Sequence, residues 1–369
     1  TYAQVYFSVA GQFDNRYLGL YSVTENVDSD FAASRFAVKQ KGVFFKPVTP
    51  QLFADLGADW APYQQMYDPK SKPTDEQKRA ITDLCRLATQ ADDREFANRI
   101  GQFIDLPELA RYMAVLVYLS EFDGILGPGQ NLYLYHHPET QKFVFIPWDL
   151  DRAWGQFARA SQDQRNQLSI VHPWQGEKWF LERLFQVEEF MTLYRQNLAE
   201  FCKTLFVPDR MAQQVDEVAA AIRPALKSEP GVSLDRFELA VAGKPVPPAR
   251  RGGFGGFGGP GDTQPIKPFA KIRTQSILDQ LAGKSQGLQL GSGFGFPPGM
   301  GDNRSELAAT AGLPFYRLVA GEKTKDLSAD EMSQGFAKLF QAWDAEKRGK
   351  LSYQQLRTAI EKSFAAAKK

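Results

Sequence analysis

A chain of 369 residues and 41.4 kDa carries 44 Lys and Arg against 43 Asp and Glu, a formal charge of +1, so composition supplies no whole-molecule attraction to nucleic acid or an anionic membrane surface. The length allows a substantial core and more than one domain. The apolar stretch 113–119 falls well short of the roughly twenty residues a membrane span needs, and neither His136, His137 and His172 nor Cys85 and Cys202 stand at zinc-ligand spacing, the two thiols being expected buried and free.

The chain opens at Thr1 without Met, and Val5, Phe7 and Val9 alternate as in a strand, so it reads as a piece of a longer precursor. Residues 1–50 are β-rich, with short β-branched and aromatic runs at 17–25 and 42–47 that read as one small sheet. Residues 51–285 are mostly helical. Asp105 and Pro107 signal the start of a helix whose Leu109, Met113, Leu116 and Leu119 recur at helical spacing. One hairpin interrupts the pattern, 131–136 and 142–148, joined by Pro138, Glu139 and Thr140. Two Gly-rich tracts follow, RRGGFGGFGGPGD at 250–262 and GSGFGFPPGMGDN at 291–303, with a helix predicted between them from about Pro268 to Leu281. The first tract reads as an insertion and 286–304 as a linker. Gly283, Lys284 and Ser285 imitate the end of a phosphate-binding loop but close a helix instead of following a strand. Residues 305–369 read as a separate helical module, with Phe336, Leu339, Phe340 and Trp343 on one face.

The segment 121–155, EFDGILGPGQNLYLYHHPETQKFVFIPWDLDRAWG, has carboxylates at both ends of the hairpin. Turning near Pro138 and Glu139 sets Asn131 opposite about Ile146, which brings Asp123, Asn131, Asp149 and Asp151 to one end. Carboxylates with one amide oxygen are hard-oxygen ligands of the kind Mg²⁺ or Mn²⁺ accepts while leaving positions for phosphate. The order of helix, acidic loop, hairpin and second acidic loop is that of protein kinases. The letters are not: there is no His-Arg-Asp, Asn131 comes late after Asp123, and Asp-Leu-Asp stands where ordinary kinases have Asp-Phe-Gly. A solvated loop or helix cap for Asp149 and Asp151, and a two-carboxylate glycosidase, are the other readings of the same residues.

The sequence resembles the spore coat protein H (CotH) kinases, atypical kinases of bacterial coat and cell-surface proteins. The resemblance rests on YLGLYSVTENVDSDFAASRF (17–36) with GVFFKP (42–47), on NLYLYHHPETQKFVFIPWDLDRAWG (131–155), and on IKPFAKIRTQSILDQL (266–281). It implies an α+β, kinase-like fold with a small β lobe (1–50) and a larger helical lobe (51–285). By motif, Asp123 looks like the catalytic carboxylate, Asp149 the principal metal ligand, and Asn131 and Asp151 supporting groups. Pairing of the strands ending at Glu25 and Lys46 would join these two as phosphate-contacting Lys and orienting Glu, or simply as a surface ion pair. Trp148 and Trp154 flank the acidic loop, able to stack on adenine or to fill core.

The implied activity is transfer of phosphate from ATP, with Mg or Mn, to hydroxyl side chains of a protein outside the cytoplasm, in a secreted, periplasmic or cell-surface setting. A pseudokinase or surface scaffold that keeps the fold and binds a partner is the alternative. The tail, WDAEKRGKLSYQQL (343–356), resembles a degenerate EF-hand: Asp344, Glu346, Gly349 and Ser352 take loop positions, but Arg348 occupies a ligand position and Gln355 replaces the bidentate Glu. Calcium affinity is expected to be very weak.

Overall fold

Side-chain alternation from Tyr2 onward sets β1 (Tyr2–Val9), which turns back into β2 (Phe13–Ser22) as an antiparallel ribbon with Tyr2 opposite Ser22 and Val9 opposite Phe13. The computed structural model describes residues 1–49, 51–157, 160–176, 178–229, 232–247, 263–290, 328–344 and 347–349, with Val319 and Ala359. Asp28 caps α1 (Ser29–Phe36), its carboxylate accepting the N–H groups of Asp30 and Phe31. β3 (Val43–Phe45) follows, then α2 (Trp60–Tyr67), α3 (Asp75–Gln90), α4 (Asp93–Phe103) and α5 (Leu106–Leu119). The hairpin is β4 (Leu132–His136) and β5 (Phe143–Pro147). Beyond it lie α6 (Gln162–Asn166), α7 (Trp179–Leu184), α8 (Glu188–Thr204), α9 (Pro208–Lys227), α10 (Leu234–Val241), α11 (Ile266–Leu281) and α12 (Ala329–Trp343). The mixture of helices with small antiparallel sheets is α+β.

α5 is the central helix. Asp105 accepts the Glu108 N–H and Pro107 sits in the first turn, as the sequence predicts. Its Leu109, Met113 and Val117 are fully buried, and it packs on α8 and β5. A helix apolar nearly all round is stable only when neighbours cover every side.

The second sheet has the order β3-β4-β5, all antiparallel. Val43, Phe45, Leu132, Leu134, Phe143 and Phe145 enter the main core with α5. On the opposite face Phe44, Tyr133, Tyr135, Val144 and Ile146 pack with Val27 and Ala32 at α1. Both faces are therefore apolar, and the strands read as continuous hydrophobic runs.

Two expectations are corrected here. Residues 1–50 do not form one sheet: β3 pairs with β4, because Val43 and Phe45 reach burial only against the main core, and the β1–β2 ribbon is a separate sheet with Tyr2, Tyr6 and Tyr21 exposed. In the hairpin, Tyr133 and not Asn131 faces Ile146. The turn is set further along because Gln141 takes a left-handed φ of 57° and the His137 N–H bonds the Lys142 carbonyl at 2.9 Å. The slip keeps every side chain on its face and carries Asn131 to Trp148, whose N–H donates to the Asn131 carbonyl at 3.1 Å.

Cys85 and Cys202 are buried free thiols. Gly283 and Lys284 close α11, their N–H groups bonding the carbonyls of Gln280 and Asp279. No helix among the described residues is long and apolar enough to cross a membrane. The chain divides into two compact units, Thr1–Phe294 and Gly295–Lys369. In the second, Ser328 and Glu331 form a capping box at the start of α12. Asp344 is buried, its carboxylate accepting the N–H groups of Arg348 at 3.0 Å and Gly349 at 2.6 Å. The glycine has a φ of 69°, a conformation that favours Gly at the turn position the EF-hand pattern assigns to it. Glu346, Ser352 and Gln355, like the Gly-rich tracts 250–262 and 291–303, lie outside the described residues.

Candidate functional site

α5 ends where Ser120 turns left-handed with a φ of 50°, its N–H bonding the Leu116 and Val117 carbonyls. The Ser120 hydroxyl donates to the Arg165 carbonyl at 2.6 Å, which holds the helix end in the core. The next residue, Glu121, is 1% exposed, and its Oε1 accepts the Asp123 N–H at 2.8 Å. From Gly124 the chain folds on itself, the Gly124 carbonyl accepting the N–H groups of Gly127 and Gly129. A Cβ on Gly127 would lie 2.0 Å from the Phe122 carbonyl oxygen, so only glycine permits this turn.

The loop returns to Asp123. Gln130 Nε2 donates to Asp123 Oδ1 at 3.1 Å, and Asn131 Nδ2 donates to the Asp123 carbonyl at 2.9 Å and to Oδ2 at 3.3 Å. Asp123 is half-buried, and its carboxylate is oriented from the strand side by two amides. Asn131 has a φ of 56° and Asp149 a φ of 52°, so the residues at the open end of the hairpin both adopt the left-handed conformation that Asn and Asp tolerate best. Asp149 and Asp151 are exposed, and Arg152 Nε lies 3.6 Å from Asp151 Oδ2.

The structure brings Asp123 and Asn131 into direct contact, with Asp149 and Asp151 close enough to act electrostatically. Burial first, then the charges of Asp149 and Asp123, raises the Asp151 carboxyl above its ordinary range against the pull of Arg152. Burial also raises Glu121 to about 7, with Asp123, Asp151 and Asp149 adding to the rise and the Asp123 N–H opposing it. Glu121 Oε2 and the Tyr112 hydroxyl beside it are buried without hydrogen-bond partners among the described residues. The sequence reading passed over Glu121. The available signal was its place between the apolar end of α5 and Phe122, Ile125 and Leu126, a stretch with no solvated run.

The donors are carboxylate and amide oxygens without sulfur or imidazole, which suits a hard divalent cation. The crowding of acids around Glu121, whose Oε2 lacks a partner, would be relieved by a cation bound at this end of the hairpin. Among the described residues, however, no three His, Cys, Asp or Glu side chains converge as a ligand group.

Lys46 is half-buried at the end of β3. Its ammonium lies 5.3 Å from the centre of the Tyr133 ring and 5.6 Å from that of Trp148, and these rings meet edge to face at 5.6 Å. The expected approach of Glu25 is corrected: Glu25 lies beyond the end of β2, outside either sheet, and pairs at 2.5 Å with Arg35 of α1. Beside Lys46, the aromatic face of the second sheet opens into a cavity of about 720 Å³ lined by Phe44, Tyr133 and Tyr135 together with Lys39, Lys41 and Lys70. Trp154 instead packs edge to face on Tyr118, Phe206 and Phe269, in the core.

Residues 1–240 match a family model described as CotH kinase protein. No curated protein matches the chain.

Proposed function

The chain belongs to the CotH kinase family, and from that premise we propose that it is an atypical kinase transferring the terminal phosphate of ATP to a hydroxyl side chain of a protein. The observation that carries this reading is Asp123, held at the mouth of the hairpin by Gln130 and Asn131, with Asp149 and Asp151 on the opposite strand end. Asp123 orients the acceptor hydroxyl and takes its proton as the phosphate is transferred. Asp149, with Asn131 and Asp151, would hold Mg or Mn, which supplies neutralisation of phosphate charge when bound. The nucleotide base lies against the aromatic face of Tyr133 and Trp148, and Lys46 reaches the phosphates.

The acceptor is a protein of the compartment where such kinases act, at the cell surface, in the periplasm or secreted; nucleic acid is not a partner. By its sequence the tail, with Asp344, Glu346, Ser352 and Gln355 at the loop positions of a degenerate EF-hand, binds calcium weakly at most. A second reading, a pseudokinase scaffold, is favoured by one observation: no three acidic or imidazole ligands converge among the described residues.

The deciding experiment is labelling of protein acceptors, including the chain itself, with radioactive ATP and Mg²⁺ or Mn²⁺. Asp123→Asn is expected to lower transfer about 100-fold with nucleotide affinity within about twofold, because the carboxylate acts in the transition state. Asp149→Asn is expected to abolish metal-dependent nucleotide binding in calorimetry. A scaffold gives no labelling from any form.

A further inference from the structure

We propose that Glu121 is the positioning residue for Asp123, its buried carboxylate fixing the backbone turn that presents the Asp123 side chain to the acceptor; this rests on the kinase reading above. The bond from the Asp123 N–H to Glu121 Oε1, 2.8 Å long, is made in the core, where Glu121 is 1% exposed. A hydrogen bond to a charged or strongly polar acceptor without competing water is stiff as well as strong. On its other side Asp123 is held by Asn131, which bonds both its carbonyl and Oδ2, and by Gln130, which bonds Oδ1.

These contacts divide the work. Gln130 and Asn131 orient the carboxylate, but both come from the far end of a loop whose Gly124, Gly127 and Gly129 have no side chains to stiffen it. Glu121 comes from the near end, directly after α5, where the chain is fixed by the Ser120 bond to Arg165 and by the Glu121 N–H bond to the Leu116 carbonyl at 3.1 Å. The turn at Asp123 is thereby referred to the central helix. A surface glutamate would give no such reference, because water would compete for the same N–H. Placing a carboxyl here costs desolvation, and its Oε2 stands without a partner near three aspartates. The only bond that Glu121's side chain makes among the described residues is the one to Asp123.

The role needs an acceptor oxygen and the right length, not a negative charge. Glu121→Gln keeps the acceptor and sets an amide donor where Oε2 lacks a partner; Glu121→Met keeps the length and removes the acceptor. Measured as phosphate transfer with ATP varied, Glu121→Met is expected to lower kcat about tenfold to 100-fold, the cost of a misplaced reacting group, with KM for ATP within about twofold. Glu121→Gln is expected to keep kcat within about threefold of the parent. Loss of stability alone would shrink the folded fraction in both variants without this split between them. A kcat unchanged in Glu121→Met overturns the proposal, as does a folded Glu121→Gln protein as impaired as the Met variant, because the charge itself would then be at work. If the Met variant does not fold, hydrogen exchange of the Asp123 amide in the parent protein decides: protection is expected, and exchange as fast as that of an open loop overturns the proposal. Asp123→Asn in the same assay separates the two levels: if it transfers at the parent's rate, the assignment of Asp123 falls and this proposal with it. If Asp123→Asn is impaired and Glu121→Met is not, only the role of Glu121 falls.

Discussion

Burial acts on the Glu121 carboxyl more strongly than any neighbouring charge, and with Asp123, Asp151 and Asp149 it raises the group from 4.5 to about 7. The folded protein therefore holds this proton more tightly than the unfolded chain does. The group's contribution to stability is complete below pH 4.5 and is lost as pH rises through 7, a fall of about 3 kcal/mol for a shift of this size. Glu121→Gln has nothing to titrate. Urea titrations from pH 4 to 8.5 are expected to show the variant gaining on the parent by about 3 kcal/mol across that window; a difference that stays constant with pH would contradict the assignment. That Asp123, Asn131, Asp149 and Asp151 gather at one end of the hairpin was legible in the sequence, because the hairpin brackets them. Glu121 was not, since one glutamate after a helix usually faces solvent, and the packing that buries it belongs to segments far away in the chain.

At the level of elements, α11 shows how much of the site's support comes from outside the hairpin. Arg273 is fully buried, and its guanidinium donates to the carbonyls of Val117 at 2.8 Å, Tyr118 at 3.3 Å and Leu168 at 2.7 Å. Two of those carbonyls lie in the last turn of α5, where a cation also meets the negative end of the helix dipole. Burial lowers the Arg273 pKa to about 10, so the group is still charged at neutral pH. Arg273→Met retains bulk but removes three buried hydrogen bonds, leaving the Tyr118 carbonyl without its donor while Val117 and Leu168 keep those from Ser120 and Gln280, and is expected to cost about 1–3 kcal/mol in urea unfolding. Arg273→Lys is expected to recover only part of that, because an ammonium cannot reproduce the planar fork; full recovery would show that charge alone suffices. The sequence predicts α11 nearly at its observed bounds, yet its partners were illegible, because carbonyl oxygens leave no letter in a sequence. Strand pairing was hidden for a related reason: 42–47 and 17–25 read alike locally, and only the core decides that β3 joins the hairpin.

For the whole molecule, the matched region ends at residue 240, whereas the first compact unit runs to Phe294. The difference contains α11, whose Phe269, Ala270 and Ile277 are fully buried in the main core. A chain of residues 1–294 is expected to fold cooperatively and bind nucleotide like the full chain, while one of residues 1–244 lacks part of the core and is expected to be protease-sensitive without a cooperative thermal transition. A cooperatively folded 1–244 chain would show that α11 is dispensable. The bond from Arg273 to Tyr118 spans 155 residues, which sets a clock on biosynthesis. At about 5–20 residues per second, a ribosome needs roughly 8–30 s to deliver Arg273 after Tyr118 has been made. Throughout that interval the end of α5 has no guanidinium cap, and Tyr118 and Trp154 lack the Phe269 ring they later pack against. The nascent chain thus carries its acidic loop on an unfinished support, with aromatic surface open to chaperones or to a neighbouring chain on the same message until α11 emerges.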